Sequence, residues 1–159
     1  MAAETIVGVI SDTHGLLRPE AVAALRGSDL IIHAGDVGDP AILSELGKIA
    51  PVHAVRGNVD TEPWAESLPE TEIVEIGEVM IYVLHDRNRL DLTPAAAGFA
   101  AVISGHSHQP AQESVDGVLY LNPGSAGPRR FRLPISIGQL RVLGKRIEAK
   151  LITLDEAVG

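Results

Sequence analysis

Three short runs rich in β-branched residues punctuate the first third of the chain, and each ends in a small polar cluster: "TIVGVI" before "SDTHG", "LIIH" before "AGD", and "VHAV" before "RGN". Between them lie "PEAVAALRG" and "PAILSELGK", stretches of helix formers that each open with a proline, the first stopping at Gly27. Proline fits the first position of a helix and glycine the position just past its end, so the pattern predicts helices from Pro19 and from Pro40. Strand, helix, strand, helix, strand predicts a right-handed βαβαβ unit with a parallel sheet. In such a sheet the residues just past the strand ends collect along one edge. Asp12, His14, Asp36 and Asn58 all hold that position.

The second half has a different rhythm. Two strand-like runs, "EIVEI" and "EVMIYVLH", flank Gly77-Glu78, and "ESV" and "VLYLN" flank Asp116-Gly117. Short turns of this kind predict β-hairpins. A short helix is expected from Pro94, and two further alternating strands around Gly144-Lys145. The fold class is therefore α/β, with a parallel half packed against a more antiparallel half and helices on the outer faces. At 159 residues the chain is read as one domain spanning 1–159. Aromatic residues make up only 3%, so its core has to be built from Val, Ile, Leu and Ala.

Charge narrows the function. A net charge of −8 disfavours nonspecific nucleic-acid binding and anionic membranes, both of which need Lys and Arg to neutralise phosphates. Cysteine is absent, which removes disulfides, thiolate metal sites and a cysteine nucleophile. The first apolar run ends at Ile10 and meets Ser11 and Asp12 at once, too short for a signal peptide or a membrane span. A cytoplasmic location is the expectation.

The residues that follow the apolar strands form an ordered set: Asp12, His14, Asp36, Asn58, His85, His106 and His108. All offer oxygen or imidazole nitrogen, a mixture accepted by Mn²⁺, Fe²⁺, Ni²⁺ or Zn²⁺. Seven such groups exceed one ordinary site. They suit two metals about 3.5 to 4 Å apart that share a carboxylate, the arrangement that clamps the attacking and leaving oxygens of a phosphoryl displacement. Gly35, Gly57 and Gly105 each precede one of these residues and let the backbone approach without a Cβ in the way.

With "DTHG", "GD", "GN", a lone strand-end histidine and "GHSH" in this order, the chain resembles the calcineurin-like metallophosphoesterases. "GNVD" and "LNPGSAGPR" make it similar to the compact bacterial and archaeal phosphodiesterases among them. The resemblance implies a four-layer α-β-β-α sandwich, two mixed sheets face to face with helices outside. It also implies two divalent ions, Mn²⁺ foremost with Ni²⁺, Fe²⁺ or Zn²⁺ as alternatives. Asp12, His14 and His108 would hold one ion, Asn58, His85 and His106 the other, and Asp36 would bridge. His106 and His108 serving a single ion is the other arrangement. Asp36, Asn58 and His14 are the implied catalytic residues, acting on a small phosphodiester through a metal-bridging hydroxide.

Two departures from the family pattern stand out. Many larger members carry histidine directly after the "GN" asparagine, where Val59 stands here, which leaves no obvious acid for a departing alkoxide. Asp86 follows His85 where the family usually has glycine, adding a carboxylate near the site. In "NPGS", Asn122 and Ser125 are candidate substrate contacts, as is Arg129, and the bland alternatives are a tight turn and a solvated arginine. His33 and His53, inside strands, read as core or supporting residues. The acidic stretch 61–75, which holds Trp64, reads as a solvated loop, with a dimer face or a lid as the alternative. A homodimer or higher homo-oligomer is compatible with a chain of this size. The rival from another class is a protein-interaction scaffold of the same fold, similar to the retromer scaffold subunit of eukaryotic cells.

Overall fold

The computed structural model describes residues 4–130 and 132–154. The predicted alternation is present: β1 Thr5–Ile10, α1 Pro19–Leu25, β2 Leu30–His33, α2 Pro40–Gly47 and β3 Val52–Ala54. Both helices begin with proline, and Asp39 caps α2 by accepting the Ala41 N–H at 2.9 Å. β1, β2 and β3 pair in parallel, with Ile10 level with His33 and His33 level with Ala54. That register brings the three following loops side by side.

The hairpin turns fall where the sequence puts them. β4 Thr71–Ile76 and β5 Val79–Leu84 turn at Gly77-Glu78, β7 Ala111–Val115 and β8 Val118–Asn122 at Asp116-Gly117, and β9 Ser136–Leu143 and β10 Arg146–Thr153 at Gly144-Lys145. Asp116 and Gly117 both have positive φ, 51° and 79°, as a two-residue turn matched to the strand twist requires. Between these hairpins lie α3 Pro94–Ala97 and β6 Ala101–Ile103.

Sheet membership differs from a simple division into halves. The last hairpin crosses back to the first sheet, giving the order β10-β9-β1-β2-β3, while the other sheet runs β4-β5-β6-β8-β7. β9 pairs antiparallel with the free edge of β1, and β5, β6 and β8 pair in parallel. Both sheets are thus mixed. Burial of alternate residues explains the return: Leu140 and Val142 on β9 join Val7, Val9, Ile81, Val83, Ile103 and Leu121 in the aliphatic core between the sheets. The outer face of the first sheet is covered by α1 and α2 through Ala21, Leu25, Ile42 and Leu46. On the outer face of the second, Tyr82, Leu84, Phe99 and Val102 form a smaller cluster. Four α-β-β-α layers result.

The acidic stretch 61–75 is more structured than a solvated loop. It contains a 3₁₀ turn, Pro63–Ser67, whose Ala65 is fully buried, and Trp64 and Leu68 pack on the outer face of the first sheet before the chain enters β4. The spacing of its apolar residues is too irregular to reveal this in advance. Among the described residues no helix is long and apolar enough to cross a membrane.

Candidate metal centre

Because β1, β2 and β3 are parallel in one sheet and β5, β6 and β8 in the other, six strand ends open onto one side. Side chains from the loops after five of them converge. Asp12, His14 and His108 form one cluster whose ligand atoms all lie within 4.8 Å of one another, and Asp36, His85 and His106 form a second. His14 Nε2 and His108 Nε2 are 3.2 Å apart, and Asp12 Oδ1 lies 3.4 Å from His108 Nε2 and 3.7 Å from His14 Nε2. In the second cluster His85 Nε2 is 3.1 Å from Asp36 Oδ2. That same Asp36 oxygen is 3.6 Å from His14 Nε2, so it faces both groups.

Asn58 is exposed and lines a groove with His85 and His106, on the side of the second cluster. The other sequence candidates have structural commitments. Ser125 is buried, donates to the Asp12 carbonyl at 2.9 Å and accepts from Gly127 N–H at 3.3 Å. Asn122 donates to the Gly105 carbonyl at 2.9 Å and to Ser107 Oγ at 3.0 Å, and accepts the Gly124 N–H, tying the "NPGS" turn to the "GHSH" loop. Arg129 is exposed on the same loop.

The backbone at this edge is unusual. Asp12, His14, Asp36, His106 and His108 have φ of 55°, 46°, 57°, 71° and 62°, the left-handed region that residues bearing a Cβ rarely enter. Each such residue costs about 1–3 kcal/mol, so the surrounding contacts must over-determine these conformations. They do so mostly through hydrogen bonds between loops: Asp12 N–H to Gly35 O at 3.0 Å, His14 N–H to Asp36 O at 2.9 Å, and Gly15 N–H to Val37 O at 2.8 Å. Gly57 and Gly105 let the loops come this close. A Cβ on Gly57 would strike the Asp36 backbone and Oδ1, and one on Gly105 would strike Ser11 Oγ and approach Asp12 Oδ2 to 2.6 Å.

Sequence reasoning missed three further contributors. Asp60, buried, accepts the N–H groups of Val37, Gly38 and Gly57 at 3.1, 3.0 and 2.9 Å, clamping the loop after β2 to the loop after β3. Ser11 donates to Asp12 Oδ2 at 2.7 Å, leaving Oδ1 for the cluster. Thr13 donates to Val37 O at 2.8 Å and spends its one proton there, so its 3.0 Å contact with His33 must be donated by His33 Nε2–H. Gly35 N–H donates to His33 Nδ1 at 3.1 Å, which fixes the same tautomer. His33 thus has a supporting role, as its place inside a strand predicted. Asp60 could have been noticed in "GNVD"; Ser11 and Thr13 carry no distinctive signal.

Electrostatics follows from burial and crowding. Burial acts to raise the Asp12 carboxyl, but His108, His14 and Ser11 outweigh it and hold the group well below the usual carboxylate range. Asp36 is likewise lowered, its burial overcome by His85 and the Val59 N–H. Burial works against a charged His85, yet the carboxylates of Asp36 and Asp12 raise its pKa. Full burial pushes His33 the other way, down to about 4.

The donor chemistry fits divalent metal. Asp12 Oδ1 and His85 Nε2 are buried without a hydrogen-bond partner, although polar groups in such positions are normally satisfied. His85 Nδ1–H donates to the Ala34 carbonyl at 2.8 Å, which turns the lone pair of Nε2 toward the cluster, the usual support for a ligating imidazole. Carboxylate oxygens and imidazole nitrogens converging without thiolate match borderline divalent cations.

Comparison with known proteins agrees with this chemistry. The family model of the calcineurin-like phosphoesterase superfamily domain matches residues 6–144. A probable metallophosphoesterase of Methanocaldococcus jannaschii is 42% identical over 95% of this chain and 82% of its own length. A phosphodiesterase of the same organism is 29% identical over 74% of this chain and 82% of its own. Vacuolar protein sorting 29 of Cryptosporidium parvum superposes with a TM-score of 0.76 at 20% identity, over 96% of this chain and 99% of that one, a likeness of fold. Five strand-end loops, two ligand clusters and a family match along most of its length place the chain in the calcineurin-like phosphoesterase superfamily.

Proposed function

We propose that this chain is a two-metal phosphodiesterase, with Asp12, His14 and His108 holding one divalent ion, Asn58, His85 and His106 the other, and Asp36 shared. The observation that carries the proposal is the position of Asp36 Oδ2, 3.6 Å from an imidazole of the first cluster and 3.1 Å from one of the second. When bound, such a metal pair acidifies a water molecule and offsets charge on the attacking and leaving oxygens. The phosphodiesterase name of the relative in Methanocaldococcus jannaschii supports the reaction class.

The remaining work falls to the chain. His85, anchored to the Ala34 carbonyl, and Asp36, anchored by the Val59 N–H at 3.0 Å, hold fixed positions as a substrate enters. Val59 is 45% exposed at the site and offers only its backbone N–H, so no side chain there donates a proton to a departing alkoxide. Diesters with acidic leaving groups need no such proton. Beside Asn58, His85 and His106 opens a groove of about 670 Å³, room for the organic part of a small diester. Arg129 is retained as the candidate phosphate contact.

All seven proposed ligand positions carry oxygen or imidazole donors, five of them in left-handed backbone, which favours the metal-dependent enzyme over a scaffold of this fold. The test is an assay with Mn²⁺, Ni²⁺, Fe²⁺ and Zn²⁺ against a nitrophenyl phosphodiester and an alkyl phosphomonoester. Metal-dependent turnover of the diester with little of the monoester is expected. Equal turnover of the two would sink the diester preference, and no Mn²⁺ binding at micromolar concentration would favour the scaffold.

A further inference from the structure

Asp86 sits where two grooves meet. The groove of about 670 Å³ running toward Arg56 and Arg89 and a second of about 400 Å³ running toward Ser107, Tyr120 and Asn122 share two wall residues, Asp86 and His106. Both grooves therefore carry this carboxylate on their walls, beside the residues of the second cluster. Its orientation is fixed: Asp86 Oδ1 accepts the Asn88 N–H at 3.0 Å and caps the 3₁₀ turn Arg87–Arg89, leaving Oδ2 directed to His106, 4.0 Å from its Nε2. Two of the three guanidinium groups on these walls are committed elsewhere, and the third, Arg89, makes no ion pair with Asp86. Arg87 bonds Glu113 at 2.6 Å and lies 4.1 Å over the Tyr120 ring, and Arg56 pairs with Glu70 at 3.2 Å.

A fixed negative charge beside a phosphate site acts differently on the two ester classes. A phosphodiester carries one negative charge, whereas a phosphomonoester or inorganic phosphate carries nearly two at mildly alkaline pH. Each unit of charge held within a few ångströms of a partly solvated carboxylate is disfavoured about tenfold. From the position of its free oxygen at the junction of both grooves, we propose that Asp86 is a specificity-determining residue that selects monoanionic diesters over dianionic monoesters and hastens release of the dianionic product. It supplies by charge a discrimination additional to the missing proton donor at Val59. The proposal rests on the phosphodiesterase reading above for its substrate, but its binding arm can be read without turnover.

The experiment compares the Mn²⁺-loaded protein with Asp86→Asn, which keeps an oxygen for the Asn88 N–H, and with Asp86→Ala. Calorimetry measures inorganic phosphate binding at pH 8 and the stoichiometry and affinity of Mn²⁺, and kinetics gives kcat/KM for a diester and a monoester. The expected result is phosphate bound about tenfold or more tightly by both variants, with the ratio of monoester to diester kcat/KM rising about tenfold. High salt should shrink both effects, because exposed charges are screened. Unchanged phosphate affinity overturns the proposal. So does loss of one Mn²⁺ from the stoichiometry, which would make Asp86 a metal ligand. A wild-type protein that binds Mn²⁺ and phosphate but cleaves neither ester would end the phosphodiesterase reading, while the phosphate affinities would still decide the role of Asp86.

Discussion

The two ligand clusters are built to different standards. Asp12, His14 and His108 all have left-handed backbone, and Asp12 is held at its carboxylate by Ser11 and the His106 N–H, at its own N–H by Gly35 and at its carbonyl by Ser125. Side-chain exposure there is 16% for His14 and 4% for His108. In the second cluster Asp36 and His106 share that left-handed backbone and His85 is buried, but the His106 side chain is 45% exposed and Asn58 stands in the open groove, so the difference lies in burial and bracing. A site whose ligands are fixed before binding loses less entropy when the ion arrives. On the two-metal reading proposed above, the first cluster would be the tighter, structural half, and the second, open to the groove, the half that meets substrate.

The sharpest way to break that contrast is through the residue both halves share. Asp36→Asn keeps the shape and the Val59 N–H contact but removes the charge that faces His14 and His85. Calorimetry with Mn²⁺ should show two unequal steps in the wild type, both weakened in Asp36→Asn, with diester turnover lower by about a hundredfold or more, equivalent to roughly 2.7 kcal/mol of lost transition-state stabilisation. His106→Ala should erase only the weaker step. If His106→Ala abolished both steps, the clusters would be one cooperative site and the contrast would fall.

The positions of the ligands were legible in the sequence, the contrast between the clusters was not, and the limit has a physical cause. Strand ends, Pro-led helices and two-residue turns are local signals, so the loops holding Asp12, Asp36, Asn58, His85, His106 and His108 were placed correctly along the chain. The destination of β9 and β10 was not, because pairing with the free edge of β1 is set by which side chains fill the space between the sheets. The difference in rigidity was equally hidden. Ser125 reaches Asp12 across 113 positions and Asp60 reaches Val37 across 23, and bonds of that range leave no periodicity to read. Ser125 looked like a substrate contact because its neighbours in "NPGS" mark a turn at the metal edge, whereas its hydroxyl is turned inward to the Asp12 carbonyl.

Beneath the first cluster, His33 offers a smaller test in the metal-free protein. Its folded pKa of about 4 lies below its ordinary 6.5, so below pH 6.5 the unfolded chain takes up a proton that the folded one refuses. Stability from this residue is complete above pH 6.5 and is lost progressively as pH falls toward 4, by about 3 kcal/mol at most. His85 does not blur that window: its pKa is raised, so its contribution is already full below 6.5 and is lost only as pH rises through the higher value. The lowered carboxyls of Asp12 and Asp36 act only at still lower pH, because their contribution is complete above their ordinary value of 3.8. Urea unfolding at pH 7 and pH 4.5 should show the loss, and His33→Asn should flatten it. An equal slope in the variant would assign the acid sensitivity to other groups.

The smallest expected effect separates the clusters most cleanly. Ser125 touches the first cluster only through the Asp12 carbonyl and has no hydrogen bond to any residue of the second among the described residues. Ser125→Ala removes two buried hydrogen bonds, that to the Asp12 carbonyl and the longer one from the Gly127 N–H, and should cost about 1–2 kcal/mol of stability. Because the bond to the Asp12 carbonyl helps hold Asp12 at a positive φ of 55°, the tighter Mn²⁺ step should weaken about three- to fivefold while the weaker step stays where it was. Calorimetry on the variant reads both steps in one titration. A loss confined to the weaker step would mean that the hydroxyl serves the substrate side after all, and that the bracing of Asp12 is carried by Ser11 and the loop backbone alone.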